Sequence, residues 1–206
     1  MKVINGFSLK TKHKYFLECA TIHSKEIPNG FLPTLGLNFL SSLYEVFSKS
    51  KHSFLLLAIE DDKVIGFIAI SLHTKFFFKQ YLKTKLFKSL YKIPIVIFGK
   101  VFFIKSLNVF KYFFSNKRDG EIFISNSEIF NFCISSLYQG RGTGQLLFLS
   151  AVEQLKVHNI KILKIVTGQS QKSAQNFYYK IGATPSHKII IHNGKESVVF
   201  KYKING

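Results

Sequence analysis

The stretch Gln139-Gly140-Arg141-Gly142-Thr143-Gly144 has the residue types and spacing to hold an anion. It follows an apolar run, 129–134, broken only by Asn131. It opens into Gln145-Leu146-Leu147-Phe148-Leu149, with further apolar positions at Ala151, Val152 and Leu155. That order reads strand, glycine-rich turn, helix. Glycines let the backbone curl tightly, and the first N–H groups of a helix point outward without intrahelical partners. Those amides, with the positive end of the helix dipole, suit a pyrophosphate. A glycine-rich turn also joins strand to helix for steric reasons alone, so the motif by itself leaves both readings open. Two nucleotide signatures are excluded. A Walker loop needs Lys and then Ser or Thr after its last glycine, where this chain has Gln145-Leu146. A dinucleotide turn follows the first strand and is answered by an acid about 20 residues later. Here the turn lies late in the chain, and residues 162–166 contain no acid.

Other residues near this turn have reactive side chains. Strand alternation sets Glu128 on one face with Phe130, Phe132 and Ile134. A carboxyl in apolar company keeps its proton to higher pH, which suits a base that deprotonates an ammonium. A surface acid at a strand end is the alternative. Cys133 is a nucleophile by type, but it has no helix start of its own and no evident His partner in sequence. A small buried thiol is the simpler reading. His187 and His192 fall in the last predicted hairpin, as alternative bases or as solvated hairpin residues.

The glycine turn resembles the acyl-CoA signature of the GNAT superfamily, Gln/Arg-x-x-Gly-x-Gly/Ala, with Gln139, Gly142 and Gly144 at its fixed positions. A second motif of that family, Asn-x-x-Ala-x-x-Phe-Tyr-x-Lys-x-Gly, is matched by Ala174, Phe177, Tyr178, Lys180 and Gly182, with Gln171 where Asn is common. The resemblance covers about residues 128–203, and more weakly the N-terminal half. It implies acetyl-CoA as cosubstrate, no metal, and direct transfer of the acetyl group to an amine. It implies that Gln139, Gly140, Arg141, Gly142, Thr143 and Gly144 hold the pyrophosphate. It further implies that Phe132, Cys133 and Ile134, on a strand splayed from its neighbour, pair with pantetheine and face the thioester carbonyl. Tyr178 matches the tyrosine that protonates the departing thiolate; an aromatic packed beside Phe177 is the alternative. Glu128, eleven residues before Gln139, stands where histone-type members carry a general base. Gln171 would hold pantetheine with a longer arm than Asn, or Ser173 would substitute. The segment from Glu26 to Leu32, followed by Leu35-Gly36, resembles GNAT members from bacterial surface-polysaccharide gene clusters.

These residues need a scaffold. At 206 residues, one domain spanning 1–206 is expected, with room for a real core. The pattern predicts a short strand at 2–8, helices at 12–25 and 35–47, and a hairpin of 54–59 and 64–72 turned at Asp61-Asp62. The acids of that turn read as solvated residues. Beyond the insert come a strand at 128–134, a helix at 144–157, a strand at 160–166 and a helix at 170–181 with Ser170 as its cap. A last hairpin, 188–192 and 197–204, turns at Asn193-Gly194, a type I′ signal. With the resemblance, the fold class is α/β: a GNAT-like mixed, largely antiparallel sheet of six or seven strands, helices on both faces, and an extra helical insert.

The insert, about 73–118, is the departure from the family. It holds ten of the 23 Phe, ten Lys, one Arg and no acid. From Lys63 through Arg118 lie twelve basic residues and no acid, so this stretch supplies +12 of a net charge of +18. Pro94 divides it into two expected helices, 75–92 and 95–115. Lysines interrupt its apolar runs short of the roughly 20 residues that a membrane span needs. A peripheral membrane surface, a lid and a homodimer contact remain open for it; nucleic acid ranks below them because arginine is nearly absent. The charge favours an anionic partner, such as a small amine on an anionic carrier, and disfavours polycationic acceptors. Cys19 and Cys133 lie far apart in apolar surroundings and read as free buried thiols. The N-terminus shows no apolar stretch of signal-peptide length, so a cytoplasmic protein is expected, with the inner membrane face as its place if the insert binds lipid.

Overall fold

The computed structural model describes residues 1–8, 13–30, 32–81, 124–191 and 195–205. Seven strands form one sheet: β1 (Lys2–Asn5), β2 (Ser53–Glu60), β3 (Lys63–Ser71), β4 (Glu128–Ile134), β5 (Ile162–Gly168), β6 (Thr184–Ile191) and β7 (Lys195–Lys203). Their order is β1-β2-β3-β4-β5-β7-β6. Only β4 and β5 run parallel; the other neighbouring pairs are antiparallel. Five α-helices accompany them among the described residues: α1 (His13–Glu26), α2 (Leu37–Lys49), α3 (Thr74–Tyr81), α4 (Thr143–Val157) and α5 (Lys172–Lys180). The mixed, largely antiparallel α/β sheet expected from sequence is therefore the one observed.

The central strands β2 and β3 are buried on both faces, which is why their sequences are nearly unbroken apolar runs rather than alternating ones. One core lies under α1, α2 and α3, where Tyr15, Phe16, Cys19, Leu43, Tyr44, Phe47 and Phe77 meet Leu55, Leu57, Phe67 and Cys133. The other lies under α4 and α5, where Leu147, Phe148, Leu155 and Tyr178 meet Leu56, Ile68, Ile129, Leu163 and Phe200. Both cysteines are free and buried.

Several local expectations change. The first strand ends at Asn5, and Gly6–Ser8 form a 3-10 turn in which the Phe7 amide donates to Asn5 Oδ1 at 3.0 Å. The β2–β3 turn has left-handed Asp61 and Asp62, at φ 47° and 56°, as a two-residue hairpin turn requires. Asp62 is not simply solvated: its carboxylate accepts from Lys14 Nζ at 3.0 Å and from the Tyr15 hydroxyl, tying the hairpin tip to α1. Gln171, not Ser170, immediately precedes α5. The last hairpin begins earlier than expected, at Thr184.

Of the insert, α3 is described. Phe77, Phe78 and Tyr81 are buried, while Phe76 is half exposed. Phe77 stacks on Phe47 with ring centroids 4.0 Å apart, and Phe130 of β4 lies 5.8 Å from Phe78. The start of the insert is therefore docked on the body. The rest of its first helix, the expected helix at 95–115, Pro94, His192 and the Asn193-Gly194 turn lie outside the described residues.

Candidate active site

β4 pairs with β3 along its whole length, from Ser71↔Glu128 to Gly66↔Ile134. With β5 it pairs only at Glu128↔Lys164 and Ile129↔Ile165. Beyond Ile129 the two parallel strands separate, so the β5-facing edge of β4 is left for another partner. An edge of this kind holds an extended amide-bearing ligand as an added strand would be held.

A bulge refines the picture of β4. The register slips between Ala69↔Asn131 and Ile70↔Ile129, which leaves Phe130 as the extra residue. Bulges break alternation and re-aim side chains. Ile129, Phe132 and Ile134 accordingly pack toward α4 and α5, while Phe130 and Cys133 pack toward α1–α3. Strict alternation had placed Glu128 with Phe130, Phe132 and Ile134. Glu128 lies opposite Ser71 at the closed end of the gap, on the Phe130 side, apart from Phe132 and Ile134. Its carboxylate is 2.8 Å from Lys164 Nζ, and the pair is largely buried.

At the open end of β4 the chain makes a short 3-10 turn, Ser136–Tyr138, and enters the glycine loop. Gln139 folds back, its Nε2 donating to Ile134 O at 2.9 Å. Gly140 and Gly142 have φ of 75° and 81°, a left-handed conformation that side-chain-bearing residues avoid. A Cβ built on either would meet nothing within 4 Å, so the loop's outer side is open. Gly142 is the N-cap of the 15-residue α4 and provides no side-chain cap to the helix's first amides. These are the conditions for an anion cradle. Arg141 sits over the Tyr138 ring, 5.3 Å from its centroid. Thr143 is buried, and its hydroxyl donates to Met1 Sδ at 3.6 Å rather than toward the loop's open side.

Tyr178, on α5, is 6% exposed and flanked by Phe177 and Phe200. Burial, and secondarily the nearby Cys133, pushes its phenol pKa well up, so it holds its proton at neutral pH. The Cys133 thiol is likewise pushed up by burial and by Glu26, which leaves little thiolate for nucleophilic attack. Gln171 Oε1 accepts from Thr167 Oγ1 and the Gly168 amide, both at 3.0 Å, so this carbonyl oxygen is engaged in the β5–α5 turn. The same turn is held from below by buried Gln175, which donates to Gly168 O and Gln169 O. Ser173 is exposed on the first turn of α5. His187 lies on edge strand β6, its Nδ1 3.1 Å from Ser186 Oγ.

Sequence reasoning missed the groups that α1 brings to β4. Cys19, His23 and Glu26 recur at helical spacing on one side of α1, which is the signal that could have found them. His23 Nδ1 lies 2.5 Å from the buried Tyr44 hydroxyl. Glu26 Oε1 accepts from the Ser136 amide at 2.9 Å, tying the end of α1 to the turn after β4. Together β4, the glycine loop, α5 and α1 bring Cys133, Gly140, Gly142, Tyr178 and Glu26 to one side of the sheet gap or the other. Glu128 is set at its far, closed end.

Residues 113–203 match the family model described as an acetyltransferase (GNAT) domain. The whole chain superposes on solved structures of that kind. A GNAT-family protein of Desulfovibrio desulfuricans aligns over 99% of both chains, with TM-score 0.60 and 10% identity. An N-acetyltransferase of Staphylococcus aureus Mu50 aligns over 99% of this chain and 98% of its own, with TM-score 0.61 and 9% identity. An aminoglycoside 6′-N-acetyltransferase complexed with coenzyme A aligns over 100% and 98%, with TM-score 0.59 and 10% identity. A search of the curated proteins finds no match. The chain has the fold of these GNAT structures, and its motif-bearing segment is similar to the GNAT acetyltransferase domain.

Proposed function

We propose that this protein transfers an acetyl group from acetyl-CoA to a primary amine, directly and without an acyl-enzyme. The carrying observation is the gap between β4 and β5 beyond Ile129, which opens beside an uncapped helix start with two left-handed glycines. Residues 139–144 would bind the pyrophosphate through backbone amides, with Arg141 adding charge. The free edge of β4 at Phe132, Cys133 and Ile134 would align pantetheine and direct N–H groups at the thioester carbonyl. Tyr178, protonated at neutral pH, would give its proton to the sulfur as the C–S bond breaks. Gln171 and Ser173 are the proposed side-chain contacts to pantetheine on the α5 side.

Glu128 as base fits less well than Tyr178 as acid, because it lies at the closed end of the gap and is ion-paired with Lys164. Deprotonation of the amine through water, with Glu128 as the distant sink, is the form of that role which agrees with its place. For the acceptor, the net charge of +18 favours an amine on an anionic carrier, such as a nucleotide-linked amino sugar, over a polycation. Aminoacyl-tRNA, also an amine on an anionic carrier, and protein amines form the comparison set. The test is titration with acetyl-CoA followed by CoA-thiol release over a panel of these amines. Saturable thermal stabilisation and amine-dependent release are expected. Absence of both removes the proposal, and stabilisation without release over any amine leaves a binding module.

A further inference from the structure

The bulge in β4 sets one polar side chain where no packing need calls for it. Asn131 lies opposite Ala69, which belongs to the core beneath α1–α3, so its side chain is on the same face as Cys133 and Phe130. Directly opposed residues on paired strands share a face. Its Nδ2 is buried and has no hydrogen-bond partner among the described residues. On this face Phe47 and Phe77 pack against Phe130, the residue before it, and Phe67 pairs with Cys133 two residues on. Asn131 is also among the first residues of β4 past the point where pairing to β5 ends. A buried amide donor without a partner destabilises a fold, and such groups are retained at sites where a ligand completes the hydrogen bond.

We propose that Asn131 is a catalytic residue whose Nδ2 donates a hydrogen bond to the thioester carbonyl oxygen, beside the backbone N–H groups of β4. This rests on the acetyl-transfer reading above. The amine nitrogen forms its bond to the carbonyl carbon, and the carbonyl electrons move onto the oxygen that Asn131 and the strand amides hold. They return as the C–S bond breaks. The sulfur receives the Tyr178 proton, and the nitrogen gives up its own through water, with Glu128 as the distant sink. A donor fixed in advance stabilises the charge without reorganising. The bulge explains how a strand whose alternating positions pack two cores can offer a side chain there as well as its backbone.

Two variants separate this role from packing. Asn131→Leu has similar size and no polar atom; Asn131→Asp keeps the shape but presents only acceptors when ionised. CoA-thiol release from acetyl-CoA is measured with water as sole acceptor and with an amino-sugar phosphate. Both variants should lose about 100-fold in kcat, as removal of one oxyanion donor does, and should bind CoA as the wild type does. The ligand-free Asn131→Leu protein should melt about 2–6 °C higher than wild type, since the unpartnered donor is gone. Wild-type turnover in either variant overturns the proposal. So does an effect confined to KM for the amine, which would place Asn131 on the acceptor. A lower melting temperature for Asn131→Leu, together with lost CoA binding, would assign the residue to folding and also overturns it. If the wild type itself neither binds acetyl-CoA nor releases CoA, the acetyl-transfer reading falls and this inference with it. Failure of the inference alone is seen with an active wild type.

Discussion

The side chains divide into those that hold a proton firmly and those that are held by others, and the difference governs what substitutions should do. Tyr178 keeps its proton because its phenol is buried, and its proposed use comes only when sulfur departs. Tyr178→Phe should therefore lower kcat by about 10- to 1000-fold and leave acetyl-CoA affinity nearly unchanged, as loss of a general acid does. Steady-state kinetics beside calorimetric titration checks this, and an unchanged kcat with chemistry rate-limiting would reduce Tyr178 to packing. His23 gives a prediction in pH. Burial holds its pKa down to about 4, from 6.5, so it is neutral in the folded protein at neutral pH. The unfolded chain takes up a proton below about 6.5 that the folded chain refuses until about 4. Stability should thus fall as pH drops through that window, by about 3 kcal/mol for the full shift. His23→Asn should flatten this acid limb in denaturant titrations at pH 7 and pH 5. The places of Tyr178 on a helix and of Gln139 in the glycine loop were legible in sequence, because local spacing fixes them. His23, Glu26 and Asn131 were not, because their surroundings come from elements far along the chain.

Among the elements, β4 with the loop that follows it shows where local pattern suffices and where it fails. Its ends match the apolar run, because both faces of that strand are covered. The side on which each residue sits was not readable, because the bulge at Phe130 arises from pairing with β3 and leaves no mark in composition. The three motif glycines also look alike in sequence, yet they do different things. Gly142 is left-handed and Gly140 with it, whereas Gly144 lies inside α4 and a Cβ there would meet Phe177, Phe132 and Ile134 at ordinary contact distances of 3.6–3.8 Å. Gly142→Ala should cost about 1–2 kcal/mol through strained φ, and it should weaken CoA binding by disturbing the cradle. Gly144→Ala should be neutral or stabilising by up to about 1 kcal/mol, because alanine is the better helix former. Thermal melts of the two variants should move in opposite directions. If Gly144→Ala binds CoA as the wild type does, the third glycine is not needed for the anion's approach; a selective loss of binding would assign it to that approach.

For the molecule as a whole, the open issue is what the basic, Phe-rich insert does, and the docking of α3 reweights the alternatives. A membrane-surface role needs aromatic rings exposed at the acyl boundary. Phe77 and Phe78 instead lie in the core with Phe47 and Phe130, and only Phe76 of the three is exposed. Among the described residues, no helix is long and apolar enough to cross a membrane. Tyr81, at the end of α3, approaches Phe39 of α2 with centroids 6.1 Å apart. If the insert is a lid, its lysines are available to an anionic carrier on the acceptor. Truncating Phe77 to Ala should cost about 3–5 kcal/mol, as for a buried aromatic, visible as a large fall in denaturation midpoint. Changing Lys79, Lys83, Lys88 and Lys92 together to Gln should separate the remaining possibilities. On the lid reading, it raises KM for anionic amines, spares KM for neutral ones and leaves acetyl-CoA binding intact. On the membrane reading, the wild type sediments with anionic vesicles at low salt, and the variant does so less. Each lysine near a lipid surface contributes about 1 kcal/mol, screened as ionic strength rises. Co-sedimentation of the wild type with anionic but not neutral vesicles, lost in high salt, would therefore return the insert to the membrane even though its first helix is anchored in the core.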